Sequence, residues 1–124
     1  MEQQVFGFIG VGRMGGLMSA RLLDKGHKLV VYDVADAAVS ALEEKGAQRA
    51  GCAAEVADKA DTVFLSLPNA EIVQRAALQT GGVVEGARAR RVVDFSTIGP
   101  RTASLVAKGL AVRDIVYVDA PVSG

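Results

Sequence analysis

The chain has 124 residues, half of them hydrophobic, and its 14 Lys plus Arg balance 14 Asp plus Glu for a formal net charge of zero. That length fits one domain with a core of its own, and the balanced charge offers no overall field to nucleic acid or to an anionic membrane surface. Cys52 is the single cysteine, which excludes an internal disulfide and a cysteine-built zinc site. No stretch approaches the roughly 18 apolar residues of a membrane span. With no basic leader at the N-terminus, these features predict a cytoplasmic chain.

Short apolar runs alternate with helix-like segments from one end to the other. The runs are Gln4 to Gly10, Lys28 to Asp33, Thr62 to Leu67, Arg91 to Phe95 and Ile115 to Asp119. They are nearly continuous in Val, Ile and Phe, the pattern of strands covered on both faces of a parallel sheet. Between them, Arg13 to Lys25, Asp36 to Lys45, Ala53 to Lys59, Ala70 to Leu78 and Pro100 to Lys108 carry Ala, Leu and Glu at helical spacing. The alternation predicts an α/β, doubly wound, mostly parallel Rossmann-type sheet with helices on both faces. Gly26 and Gly46 stand where helices stop, Pro100 where one starts, and Asp36 where one is capped. A short further strand is predicted around Gln48. Thr80 to Arg90 is predicted to be a flexible surface loop, with Arg88, Arg90 and Arg91 as exposed loop charges rather than a binding patch.

In open parallel sheets, ligands bind beyond the carboxyl ends of the strands, so those ends hold the candidate site residues. The first run leads straight into Gly10, Gly12 and Gly15, a G-x-G-x-x-G. Gly10 permits a tight turn, Gly12 lets the backbone approach a pyrophosphate, and Gly15 lets the helix pack close to the sheet. The pyrophosphate would rest on free N–H groups at the helix N-terminus. Asp33, ending the second run, can accept hydrogen bonds from the adenosine ribose hydroxyls and repels the extra phosphate of NADP, which favours NAD. Leu67 and Pro68 are candidates to pack beside the adenine or ribose of a cofactor. Ser96 and Thr97 are open between ligand hydroxyls and helix caps. Ser123 and Gly124 offer a hydroxyl and a backbone N–H suited to a substrate carboxylate. His27 falls at the opposite end of the sheet and is expected to be a surface residue. Cys52 is expected to be a packed small residue, and Met14 and Met18, at i and i+4, a packing stripe.

Taken together and in order, GFIGVGRMG, the VYD ending at Asp33, the LSLP ending at Pro68, the FSTIGP from Phe95 to Pro100 and the final DAPVSG resemble the β-hydroxyacid dehydrogenase family. Within it the likeness is greatest to 3-hydroxyisobutyrate dehydrogenases and tartronate semialdehyde reductases, relatives of 6-phosphogluconate dehydrogenase. The resemblance implies that Gly10, Val11, Gly12, Arg13, Met14, Gly15 and Asp33 hold NAD, and that Leu67, Pro68 and Thr97 line it. It also implies that Ser123 and Gly124 bind a small carboxylate substrate, and that the full-length protein is a homo-oligomer.

The family's general acid/base is a lysine with an asparagine four residues later on one helix. Here Lys25, Lys28, Lys45, Lys59 and Lys108 are followed at that distance by Leu29, Tyr32, Arg49, Val63 and Val112, so no catalytic residue is assigned. Residues 1–124 are therefore expected to form the dinucleotide-binding domain of an NAD-dependent 3-hydroxy acid dehydrogenase, truncated before a helical second domain and inactive alone. The alternatives are a non-catalytic NAD-binding sensor or interaction module, and an NADP-dependent relative.

Overall fold

In the computed structural model, which describes residues 4–122, every predicted element forms. The chain runs β1 (Val5–Ile9), α1 (Arg13–Asp24), β2 (Lys28–Tyr32), α2 (Asp36–Glu44), β3 (Gln48–Arg49), α3 (Ala53–Lys59) and β4 (Thr62–Leu65). It continues through α4 (Ala70–Leu78), β5 (Arg91–Asp94), α5 (Gly99–Ala111) and β6 (Val116–Asp119). The six strands form one sheet in the order β3-β2-β1-β4-β5-β6, all parallel. The order reverses between β1 and β4, where an open doubly wound sheet forms its ligand crevice.

The register explains why the strands carry so little alternation. Phe8 aligns with Val31 of β2 and Phe64 of β4, while Ile9 aligns with Tyr32 and Leu65. Side chains of neighbouring positions point to opposite faces, and both faces bury them. On one face Phe8, Leu29 and Val31 pack with Val39 and Leu42 of α2 and with Met18, Leu22 and Leu23 of α1. On the other, Ile9, Val30, Val63, Leu65 and Val92 pack with Val56 of α3, Val73 of α4, and Val106 and Leu110 of α5. Four phenylalanines line the first face as a ring cluster: Phe64 stacks on Phe95 with centroids 5.7 Å apart, and Phe8 lies 5.4 Å from Phe64. Such pairing adds to the area they bury. β6 is one edge of the sheet, with Val116 and Val118 exposed on that same face.

Three expectations need correction. Residues 80–90 are anchored rather than flexible: Val83 starts a short 3-10 turn (Val83–Glu85) and is fully buried, and the N–H groups of Arg88 and Ala89 both donate to the Ala57 carbonyl, at 3.0 and 2.8 Å. Apolar anchors and a paired backbone raise the cost of opening such a segment. Arg90 and Arg91 are exposed as expected, but Arg88 is half-buried and tied down. Arg88 makes a two-point hydrogen bond to Asp61 at 3.0 and 3.1 Å, and Arg91 reaches Thr62 Oγ1 at 2.7 Å. The Arg88 guanidinium, together with the Val5 N–H, holds the Asp61 carboxyl below the usual aspartate range. Asp36 does not cap α2. The cap position is Ala35, and Asp36 pairs instead with Arg49. Among the described residues no helix is long and apolar enough to cross a membrane.

Candidate functional site

The glycine loop is built by contacts that only a missing side chain allows. Gly10 leaves β1 at φ +92°, and a Cβ there would lie 2.1 Å from the Ser66 carbonyl oxygen. A Cβ on Gly15, in the first turn of α1, would lie 2.0 Å from the Gly10 carbonyl oxygen, so the helix sits directly on the turn. Gly12 differs from both: a Cβ would meet nothing within 4 Å. It borders open space, and it is also the N-cap of α1, which no side chain caps and whose first turn has no acidic residue. The first N–H groups of a helix have no intrahelical acceptor. Here they face outward with the positive end of the helix dipole behind them and Arg13 beside them, an arrangement that suits an anion. That open cradle fits the pyrophosphate of a dinucleotide.

Asp33 follows β2 and fastens the loop from the side. Its Oδ2 accepts the Val11 N–H at 2.8 Å and its Oδ1 the Ala35 N–H at 2.9 Å. The carboxylate thus makes a local turn and bridges to the glycine loop at once, and each oxygen keeps a lone pair for a ligand hydroxyl. The Val11 side chain is buried in the core, so this residue serves the loop through its backbone.

A cleft of about 840 Å³ opens beyond the strand ends. Of the residues the sequence singled out, Gly10, Gly12, Asp33, Leu67 and Pro68 line it. Arg13 is exposed and Met14 half-buried at the start of α1, outside the cleft wall, and of the expected methionine stripe only Met18 joins the core. Thr97 is exposed in the turn before α5, whose N-cap is Ile98, so Thr97 is not the cap. Ser96 is buried. Its Oγ accepts the Leu67 N–H at 2.8 Å while its own N–H donates to Asp94 Oδ1 at 2.9 Å, so it joins two turns rather than facing a ligand. Burial, and then the hydrogen bond to Asp94, raise the Tyr117 phenol well above its ordinary value. Ser123 and Gly124 lie outside the described residues. His27 is exposed at the far end of the sheet, its ring edge-on to Phe6.

The far wall of the cleft escaped the sequence reading. Ile72, Arg75 and Ala76 face it from α4 and Gln79 from its C-cap, with Thr80 and Gly81 following. Their spacing of three, four and seven residues marks one helical face, which is the signal that identifies them. Cys52, expected to be a packed residue, is half-buried at the N-cap of α3 and lines the same wall beside Ala53.

Comparison with known proteins agrees with this geometry. The family model for the NAD binding domain of 6-phosphogluconate dehydrogenase matches residues 5–124. The 2-(hydroxymethyl)glutarate dehydrogenase of Eubacterium barkeri is 41% identical over 126 aligned residues, covering 100% of this chain and 42% of that protein. Among solved structures, Mycobacterium tuberculosis 3-hydroxyisobutyrate dehydrogenase with L-serine superimposes with a TM-score of 0.88 at 32% identity, over 99% of this chain and 42% of that one. Psf3 in complex with NADP+ and 2-OPP gives a TM-score of 0.86 at 30% identity, over 96% of this chain and 43% of that one. The chain spans about two fifths of the length of these relatives.

Proposed function

The chain belongs to the family of NAD-binding domains of the 6-phosphogluconate dehydrogenase type, and from that premise we propose that it is the cofactor-holding part of an oxidoreductase acting on the CH–OH group of a small 3-hydroxy acid, with NAD as its dinucleotide. The observation that carries this reading is the pairing of Gly12, open to the cleft at an uncapped helix N-terminus, with Asp33 fastened to the same loop at 2.8 Å. In this reading the N–H groups opening α1 hold the pyrophosphate, and Gly10 and Gly15 keep that helix close to the strand end. Asp33 accepts the ribose hydroxyls, and its negative charge disfavours a phosphate at the same place. Leu67, Pro68 and Thr97 line the cofactor, and Ser123 and Gly124 take the substrate carboxylate.

When bound, the nicotinamide supplies the hydride acceptor or donor. The chain's own residues orient and exclude water. No residue here is assigned to move the hydroxyl proton, because none of the five lysines has an asparagine four positions later. The substrate class follows the names of the relatives, and this chain alone is expected not to turn over.

Calorimetric titration tests the cofactor. NAD binding tighter than NADP supports the reading; tighter NADP overturns the role given to Asp33, and no binding of either overturns the whole proposal. An assay with NAD and 3-hydroxyisobutyrate tests the chemistry, and robust hydride transfer by this chain would refute the assignment of the proton-handling step to a residue it lacks.

A further inference from the structure

Asp94 is a fully buried carboxylate to which the cofactor reading gives no role. It ends β5 with 0% exposure, and burying a carboxylate is expensive unless donors replace its water. Two neutral donors do so. The Ser96 N–H reaches Oδ1 at 2.9 Å, and the Tyr117 hydroxyl, from the neighbouring strand β6, reaches Oδ2 at 2.6 Å, a length typical of a hydroxyl on a carboxylate. None of the ion pairs among the described residues includes Asp94. An apolar residue here would leave the Ser96 N–H and the Tyr117 hydroxyl without an acceptor, so the carboxylate ties the turn after β5 to β6.

The connection extends beyond Ser96. Ser96 Oγ accepts the Leu67 N–H at 2.8 Å. The chain of bonds therefore runs from within β6 through the tip of β5 to the turn after β4, where Leu67 lines the cleft. The first half of the sheet has a counterpart. Ile9 and Leu65 are register partners, so Val11 and Leu67 sit two residues beyond equivalent points. Each donates its N–H, at 2.8 Å, to a side chain at the tip of the outer neighbouring strand: Asp33 in one half, Ser96 in the other. In the first half the acceptor is itself exposed to the cleft. In the second it is a buried serine, held from behind by Asp94 and Tyr117.

We infer that Asp94, with Tyr117, is a positioning residue: it holds the Ser96–Thr97 turn, and through Ser96 the Leu67 N–H, in the β4–β6 half of the sheet, across the switch point from Asp33, the half that takes the nicotinamide end of a dinucleotide spanning the crevice. This rests on the cofactor reading above. The adenosine half depends on Asp33 and on the α1 N-terminus, and the side-chain hydrogen bonds of Asp33 are separate from those of the Asp94 chain. The two halves of the ligand therefore respond differently when that chain is cut.

The experiment compares NADH with ADP, which lacks the nicotinamide riboside, as ligands of the 124-residue chain and of its Tyr117→Phe and Asp94→Asn variants, by calorimetry. Tyr117→Phe removes a single oxygen and keeps the test available if Asp94→Asn fails to fold. The expected result is a fivefold or greater loss of NADH affinity with ADP affinity changed less than twofold. A structural role alone weakens both ligands in parallel, and that outcome overturns the inference, as does unchanged NADH affinity in a folded variant. If the unaltered chain binds neither ligand, the cofactor reading has failed and the inference falls with it. Loss confined to the variants' NADH binding separates the two.

Discussion

Replacing Gly15 and Gly12 by alanine, one at a time, separates the two jobs of the glycine loop. In Gly15→Ala the new methyl would lie 2.0 Å from the Gly10 carbonyl oxygen and 3.2 Å from the Phe8 ring. The first neighbour is backbone in a tight turn, so α1 must retreat by more than about 1 Å to restore a van der Waals separation. Overpacking of this kind costs about 1–3 kcal/mol, and a rigid backbone obstacle places it at the upper end. Alanine returns about 1 kcal/mol through helix propensity, which leaves a net loss of about 2 kcal/mol. For a domain of this size that lowers Tm by about 8 °C. Gly12→Ala meets nothing within 4 Å and should cost less than about 1 kcal/mol. Its methyl enters the space the cleft leaves at the helix N-terminus, so NADH affinity should fall at least about tenfold, or about 1.4 kcal/mol. Thermal unfolding and NADH titration on both variants give the answer. If Gly12→Ala melts as low as Gly15→Ala, or binds NADH like the unaltered chain, the division of labour is wrong.

Other expectations follow from particular contacts. Asp33→Asn keeps an oxygen for one backbone N–H but removes the charge, so the preference for NAD over NADP should narrow about tenfold; calorimetry with both nucleotides checks this, and an unchanged ratio refutes the electrostatic role. Asp61, held below its ordinary range first by Arg88 and then by the Val5 N–H, stabilises the fold fully above the unfolded value of about 3.9. That contribution is lost as pH falls through the lower folded value. Asp61→Asn should therefore make acid destabilisation below about pH 4 shallower, measured as urea midpoints against pH, whereas an identical slope would discount the pair. The Arg88 and Ala89 amides, both bonded to Ala57, should exchange with solvent as slowly as strand amides; rapid exchange across residues 80–90 would restore the flexible loop.

The elements were legible because their signals are local. Runs such as Lys28 to Tyr32 carry Val and Leu without alternation, and their shortness and flanking glycine favour a strand covered on both faces. The two-residue β3 falls where a short strand was expected around Gln48, between the second and third helices. The errors share a cause as well. Residues 80–90 were expected to be flexible, yet a Cβ on Gly86 would lie 2.2 Å from Ala57 Cβ, so that glycine marks tight packing against α3. Arg88 looked like a loop charge because its partner, Asp61, lies 27 residues away.

By itself the sequence determined a doubly wound parallel sheet, a glycine loop opening a helix, and a carboxylate at the next strand end. Each follows from short-range requirements: a positive φ at Gly10, helix contact at Gly15, and the period of the apolar runs. Tertiary structure decided the rest of the site. It set one face of α4 and Cys52 as the far wall of the cleft, turned Ser96 away from the ligand, and joined Asp94 to Tyr117 across 23 residues of chain. Those outcomes depend on which strand ends the sheet order brings together, and no local pattern of residues encodes a meeting between side chains that the fold alone makes neighbours.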